Sequence, residues 1–346
     1  MLDAFALAQW RRYWATPLVG LIGGYLASLF GWPLPWMVGS LLAVITLRCL
    51  TNRAFSELPG GRKAGQWLVA SGIGLHFTSE VLAQVVSHLP IIVGGACVTL
   101  LLSLIGIAIL RRGGVDRATA FFASMPGGAS EMVNLALRHD AQPARVAAAH
   151  SLRLLLVVLL IPALFTWSLP AVDAPPAAQV DWAWLLVLLA AGALLALLWT
   201  RLKQPNPWML GPLTACAVAS ASFDLHLGLP PGFGQLGQWL IGCALGCHFD
   251  RAFFRSAPGF LARVLLFTLL AMLAAALLGE ALGWLAGEDR LSLMLGMMPG
   301  GITELCLTAE ALQLAVALVT ALQVLRLFLV MFLAEPLFKL WCKSHA

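Results

Sequence analysis

Met125-Pro126-Gly127-Gly128-Ala129-Ser130-Glu131 lies inside an apolar segment spanning roughly residues 117–137, and Met298-Pro299-Gly300-Gly301-Ile302-Thr303-Glu304 repeats it 298 − 125 = 173 positions later. Proline removes a backbone donor and two glycines remove helix preference, so a helix breaks at each copy. Backbone left bare at membrane depth is tolerated only inside protein or beside a water-filled cavity. Each copy is therefore read as a re-entrant hairpin tip or a discontinuous crossing helix.

Outward from the two breaks, the rest of the chain follows the same register. Pro35-Trp36-Met37-Val38-Gly39 returns as Pro207-Trp208-Met209-Leu210-Gly211, an offset of 207 − 35 = 172. Gly65-Gln66-Trp67-Leu68 returns as Gly237-Gln238-Trp239-Leu240, and Gly74-Leu75-His76-Phe77 as Gly246-Cys247-His248-Phe249, both again at 172. Leu152-Arg153-Leu154 returns as Leu325-Arg326-Leu327 at 325 − 152 = 173. The spacing predicts two copies of one unit, residues 1–172 and 173–346, joined by a Pro/Ala-rich link near Pro170 to Gln179.

Composition gives the setting. Of 346 residues, 60% are hydrophobic and 11% charged, against about 25% charged in a soluble domain. Mean hydropathy is +0.89. This is the composition of a polytopic membrane protein. The formal charge of +5 is then a topology signal rather than a mark of an anionic macromolecular partner. The seven cysteines form no CxxC pair and are read as small packing residues, so no metal and no cofactor are expected.

Basic residues discriminate between parallel and inverted copies. With ten spans, two re-entrant or broken helices and the N-terminus inside, 18 of the 21 Lys and Arg fall on the cytoplasmic side; only Arg290 lies outside, and Arg153 and Arg326 lie within spans. With twelve spans, Arg138, Arg145, Arg201, Lys203, Arg251, Arg255 and Arg263 move outside. The ratio falls from 18:1 to 12:7. The expected fold is thus an all-α integral membrane protein of two inverted-topology repeats, in a bacterial inner membrane, with both termini cytoplasmic. The short runs near 64–79 and 237–249 are the thinnest spans of this scheme.

The candidate site follows from the breaks. Gly127, Gly128, Gly300 and Gly301 free the backbone where the chain turns, and the residues after them open new helices whose unpaired N–H groups and positive dipole ends face the turn. Ser130 and Thr303 either cap those helices or bind a ligand. Glu131 and Glu304 are ionisable groups at membrane depth. They read as proton or cation relays or substrate contacts, or else as carboxylates capping their own helix starts. Arg153 and Arg326 sit mid-span and should face the interior, either as anion contacts or as structural ion pairs with those glutamates. His76 and His248 end matching short helices and are read either as a proton pathway or as polar end-of-helix residues. Asn134 matches Leu307, so the two copies are alike without being identical.

On these paired segments the chain resembles the Gram-negative AbrB-duplication family of inner-membrane proteins, over nearly its whole length. Members carry the labels AbrB family transcriptional regulator or ammonia monooxygenase. The resemblance implies a membrane-located regulator of gene expression and brings no catalytic residues with it. Both labels fit these residues poorly. Direct DNA binding needs a basic soluble surface, and the DNA-binding AbrB proteins are small, soluble and strand-rich. A copper monooxygenase needs clustered ligands, and the seven histidines are dispersed. The expected partners are the lipid bilayer, a small solute and a coupling H+ or Na+, with no nucleic acid; homo-oligomerisation is left open. A secondary transporter of an anion or organic acid leads, a regulator without transport follows, and an enzyme comes last.

Overall fold

A computed structural model describes residues 2–51, 55–168 and 179–343, with the backbone alone for residues 2–12 and Lys343. The link expected at Pro170 to Gln179 lies outside the described residues except for Gln179, as do Arg53, Asp173 and His345. Among the described residues the regular structure is helical: α1 (Leu2–Leu29), α2 (Pro35–Thr51), α3 (Gly61–Leu75), α4 (Ser79–Ser87), α5 (Leu89–Arg112), α6 (Arg117–Ser124), α7 (Ala129–Arg138), α8 (Pro143–Ser168), α9 (Trp182–Arg201), α10 (Pro207–Phe223), α11 (Phe233–Gly246), α12 (Arg251–Ser256), α13 (Pro258–Ala286), α14 (Arg290–Met297), α15 (Ile302–Ala311) and α16 (Val316–Lys343).

Five of these, α5, α8, α9, α13 and α16, are long and apolar enough to cross a membrane. Their 20 to 29 residues exceed or match the roughly 20 that a bilayer core requires. α3 and α4 together make a sixth candidate, but they are bent by 86°. The short run near 64–79 therefore does not continue as one straight helix. Its first part, 15 residues, is about 22 Å long at 1.5 Å per residue, less than a bilayer core of about 30 Å.

The helices form two compact units that cut across chain order: Met1–Leu82 with Pro162–Ser256, and Ala83–Ile161 with Ala257–Ala346. In the first, α1 packs on α2, α3 on α10 and α11, and α9 on α10. Glycine permits the closest approaches. A Cβ on Gly23 would stand 2.4 Å from Gly39 O, and one on Gly65 would stand 2.8 Å from Gly237 O. Apolar helices in lipid gain little from burial, so contacts of this kind hold them together. Indole donors add to them: Trp67 Nε1 donates to Leu189 O and Trp239 Nε1 to Pro17 O, each at 3.1 Å. Gln66 Nε2 reaches Asn206 Oδ1 at 3.1 Å, the interhelical bond that suffices to explain that glutamine.

The second unit is built on α5, α8 as far as Ile161, α13 and α16, with α6–α7 and α14–α15 as the two broken pairs. α13 packs on α5 and α14, and α16 packs on α5, α14 and α15. This unit holds both Met-Pro-Gly-Gly segments.

Candidate functional site

Each break starts from a capped half-helix. Asp116 caps α6 and accepts the Thr119 N–H at 2.8 Å. Asp289 caps α14 and accepts from Leu291 N and Ser292 N at 3.3 Å. The same turns anchor the next long helices. Thr119 Oγ1 accepts the Gln142 N–H, and Ser292 Oγ the Ala315 N–H, both at 2.8 Å.

The half-helices then stop where the sequence says they must. Met125 and Met298 are extended (φ −60, ψ 135 and φ −61, ψ 140), because a following proline excludes the helical region for the residue before it. The next half-helices begin after Gly128 and Gly301, both also extended with negative φ. Any residue adopts that conformation, which corrects the expectation that these two glycines free the turn. They serve space instead. A Cβ on Gly128 would lie 2.0 Å from Glu131 Oε2, and one on Gly301 would lie 2.1 Å from Glu304 Oε2. Both glutamates, third in their half-helices, thus fold back over the helix start, the placement of a capping carboxylate.

The stopped half-helices leave C-terminal carbonyls without intrahelical partners. The arginines of the last helices satisfy them. Arg153 on α8 is 6% exposed, and its Nη1 donates to Met125 O at 3.1 Å. Arg326 on α16 is 3% exposed, and it donates to Met298 O and Gly300 O, each at 2.7 Å. A cation at a helix C-terminus also suits the dipole. The expectation that both arginines face the interior agrees with this burial. Their acceptors, however, are carbonyls, a third role beside the anion contact and the ion pair expected from sequence.

Each arginine is steadied by the residue three positions earlier on its own helix. Arg153 Nη2 donates to His150 Nδ1 at 2.8 Å, and His150 Nε2 lies 3.0 Å from Phe122 O. Because guanidinium only donates, Nδ1 must accept. The imidazole therefore carries its proton on Nε2 and donates it to Phe122 O. At the second break Gln323 does the same work: its Oε1 accepts from Arg326 Nη2, and its Nε2 donates to Gly296 O at 2.7 Å. Sequence reasoning passed over both residues. The available signal was a polar side chain in an apolar span, three before the arginine and in register across the two copies.

The breaks also pack reciprocally. A Cβ on Gly127 would meet Val330 Cγ1 of α16 at 2.7 Å, and one on Gly300 would meet Val157 Cγ1 of α8 at 2.7 Å. Each break thus rests against the long helix that carries the other break's arginine. Burial then separates them. Thr303 and Glu304 are buried, at 3% and 8% exposed, whereas Ser130 is exposed and Glu131 half-buried.

His76 and His248 belong to the other compact unit, and both have exposed side chains. His76 Nδ1 lies 3.0 Å from Gly72 O of its own helix. His248 lies beyond the end of α11.

A chain whose described residues form helices, five of them fit to cross a bilayer, with buried arginines that satisfy broken helices, is of the polytopic membrane type. A family model described as transition state regulatory protein AbrB matches residues 36–342, and the chain belongs to that family. It is 28% identical over 335 residues to "Putative regulator AbrB" of Escherichia coli (strain K12), covering 92% of each chain. It is 26% identical over 361 residues to "Uncharacterized protein YhjN" of Bacillus subtilis (strain 168), covering 94% of this chain and 92% of that one.

Proposed function

We propose that this protein is a secondary transporter of a small solute, an anion or organic acid in preference, coupled to protons or cations. In this reading it consists of two inverted-topology repeats, 1–172 and 173–346, in a bacterial inner membrane with both termini cytoplasmic. The observation that carries the reading is the pair of broken helices in one compact unit, each seated on the helix that serves the other. Half-helix starts of this kind are where inverted-repeat transporters bind substrate and coupling ions. The repeat is supported by helix bounds: α2 and α10 start 207 − 35 = 172 apart, and α7 and α15 start 302 − 129 = 173 apart. Left-handed residues follow the same register, with Gly114 and Gly287 at 287 − 114 = 173, and Asp140 and Gln313 at 313 − 140 = 173.

The coupling logic is electrostatic. A carboxylate over the positive start of its own half-helix gains about 0.3–1 kcal/mol, and up to about 2 when partly buried. It also holds the place a solute anion would take. Protonation of Glu131 or Glu304 removes that gain and releases the helix start, so anion and proton bind together. At the second break, the Arg326 Nε–H is buried without an acceptor and is a further donor for the anion.

The test is flux of a panel of small organic acids into vesicles containing the native protein, Glu131→Gln or Glu304→Gln. Either substitution is expected to abolish proton-coupled flux at unchanged abundance; full flux in both overturns the site. A membrane regulator without transport is the second reading, favoured by the family description and the name of the Escherichia coli relative. It predicts a cytoplasmic protein partner that needs the loops at 51–63 or 139–145, and no flux.

A further inference from the structure

The α7 half-helix has an outer face that its counterpart lacks. Ser130, Asn134 and Arg138 are all exposed. At about 100° per residue they fall within an arc of about 80°. Glu131 borders the arc and is half-buried; Met132 and Ala136 on the far side are buried. Leu137, 63% exposed, lies at the other edge. The register-matched positions of α15 are Thr303, Leu307 and Ala311, of which the first two are buried. α7 has 10 residues and so is about 15 Å long, half of a bilayer core of about 30 Å. With Arg138 at the cytoplasmic surface, where the ten-span reading of the basic residues puts it, Gly128 stands near the membrane middle. A serine, an asparagine and a glutamate cannot then line up towards that depth against lipid tails. Each would forfeit hydrogen bonds with water, at a cost of several kcal/mol.

We propose that the Ser130–Asn134–Arg138 face of α7 is the wall of a water-filled path from the cytoplasm to Glu131, suited to a small hydrated anion drawn in by Arg138. The buried face of α15 offers no such path, so among the described residues the path is proposed at the first break alone. The inference rests on the transport reading for the solute, but not for the water.

Cysteine accessibility tests it on the full chain, in a background with all seven native cysteines replaced and the native melting temperature retained. Thiols react as thiolates, which form in water and scarcely in lipid. Ser130→Cys and Asn134→Cys should label with a charged, membrane-impermeant maleimide at least about tenfold faster than Met132→Cys, Leu307→Cys or the lipid-facing control Leu277→Cys. Labelling should be faster in inside-out than in right-side-out vesicles. Labelling of Asn134→Cys no faster than Leu277→Cys, as lipid or a second copy of the chain on this face would cause, overturns the path. So does labelling from the outer side alone. Hydroxyl-radical footprinting of the native chain in lipid discs reads the same face without substitution: Leu137 should oxidise well above Leu277, and equal oxidation overturns the path. Flux separates the two readings. The labelling pattern without flux of any acid leaves the path standing and removes the transporter, whereas flux with an unlabelled Asn134→Cys removes the path alone.

Discussion

The break at Met125–Glu131 and the break at Met298–Glu304 share one backbone solution and differ in what surrounds it. In both, a capped half-helix stops at an extended methionine, an arginine from the last helix takes up the orphan carbonyls, and a glutamate folds back over a glycine. Around the second, α15 buries every residue from Ile302 to Ala309. Around the first, α7 buries only Met132 and Ala136. The shared part is what an interrupted helix demands of any apolar interior, since unpaired backbone groups must find partners. The differing part is free to vary and is where a directional function can reside: one break has an exposed second half-helix, the other a buried one.

The largest expected effect probes the shared part. Arg326→Ala leaves Gly300 O and Gln323 Oε1 without their donor, while Met298 O keeps the Gly300 N–H at 2.8 Å and Gln323 Nε2 at 3.3 Å; Arg153→Ala leaves Met125 O and His150 Nδ1. A buried acceptor deprived of a charged partner costs on the order of 1–3 kcal/mol. With two acceptors stranded in each case, both substitutions should lower stability by about 3 kcal/mol or more, read as thermal unfolding in detergent. Small losses in both would mean that the carbonyls find other partners and that the arginines are free for a solute.

A smaller effect probes the difference. Alanine at Gly301 or Gly128 drives a Cβ into the glutamate carboxylate, at 2.1 and 2.0 Å. Glu304 is enclosed and cannot swing away, so Gly301→Ala should cost about 2 kcal/mol, as overpacking does. Glu131 is half-buried and can rotate outwards, so Gly128→Ala should cost less than about 1 kcal/mol. If the two substitutions cost the same, the asymmetry of the breaks does not extend to the mobility of their carboxylates.

These contrasts also mark what could be read from sequence. Proline with two glycines announces a break, because it removes donors and helix preference together. An arginine in an apolar span announces an interior position, because lipid excludes its charge. Its acceptors stay hidden, because a backbone carbonyl belongs to every residue and leaves no letter behind. His150 was one of seven dispersed histidines until its place opposite Gln323 in the register became visible. Gly128 and Gly301 were legible as requirements but for the wrong cause, since a need for positive φ and a crowding carboxylate look alike in sequence. The division into compact units was not legible at all: each takes one stretch from either half of the chain, and no residue pattern marks where packing crosses chain order. Of the asymmetry, only Asn134 opposite Leu307 gave a sign.

The smallest expected effect asks whether His150 and Gln323 are interchangeable. Both accept from an arginine three residues later and donate to a carbonyl of the preceding half-helix. A glutamine at 150 offers the same pair of functions, an amide oxygen for Arg153 Nη2 and an amide N–H for Phe122 O. His150→Gln should therefore change stability by less than about 1 kcal/mol, while His150→Leu, which strands Phe122 O and one guanidinium N–H, should cost on the order of 2 kcal/mol. The pH dependence separates a hydrogen-bonding role from a titrating one. As the neutral Nε2–H tautomer, His150 holds no charge to lose, so His150→Gln should leave the pH profile of flux in place. A shifted profile at unchanged stability would show that the histidine moves protons, and the two breaks would then differ in chemistry as well as in burial.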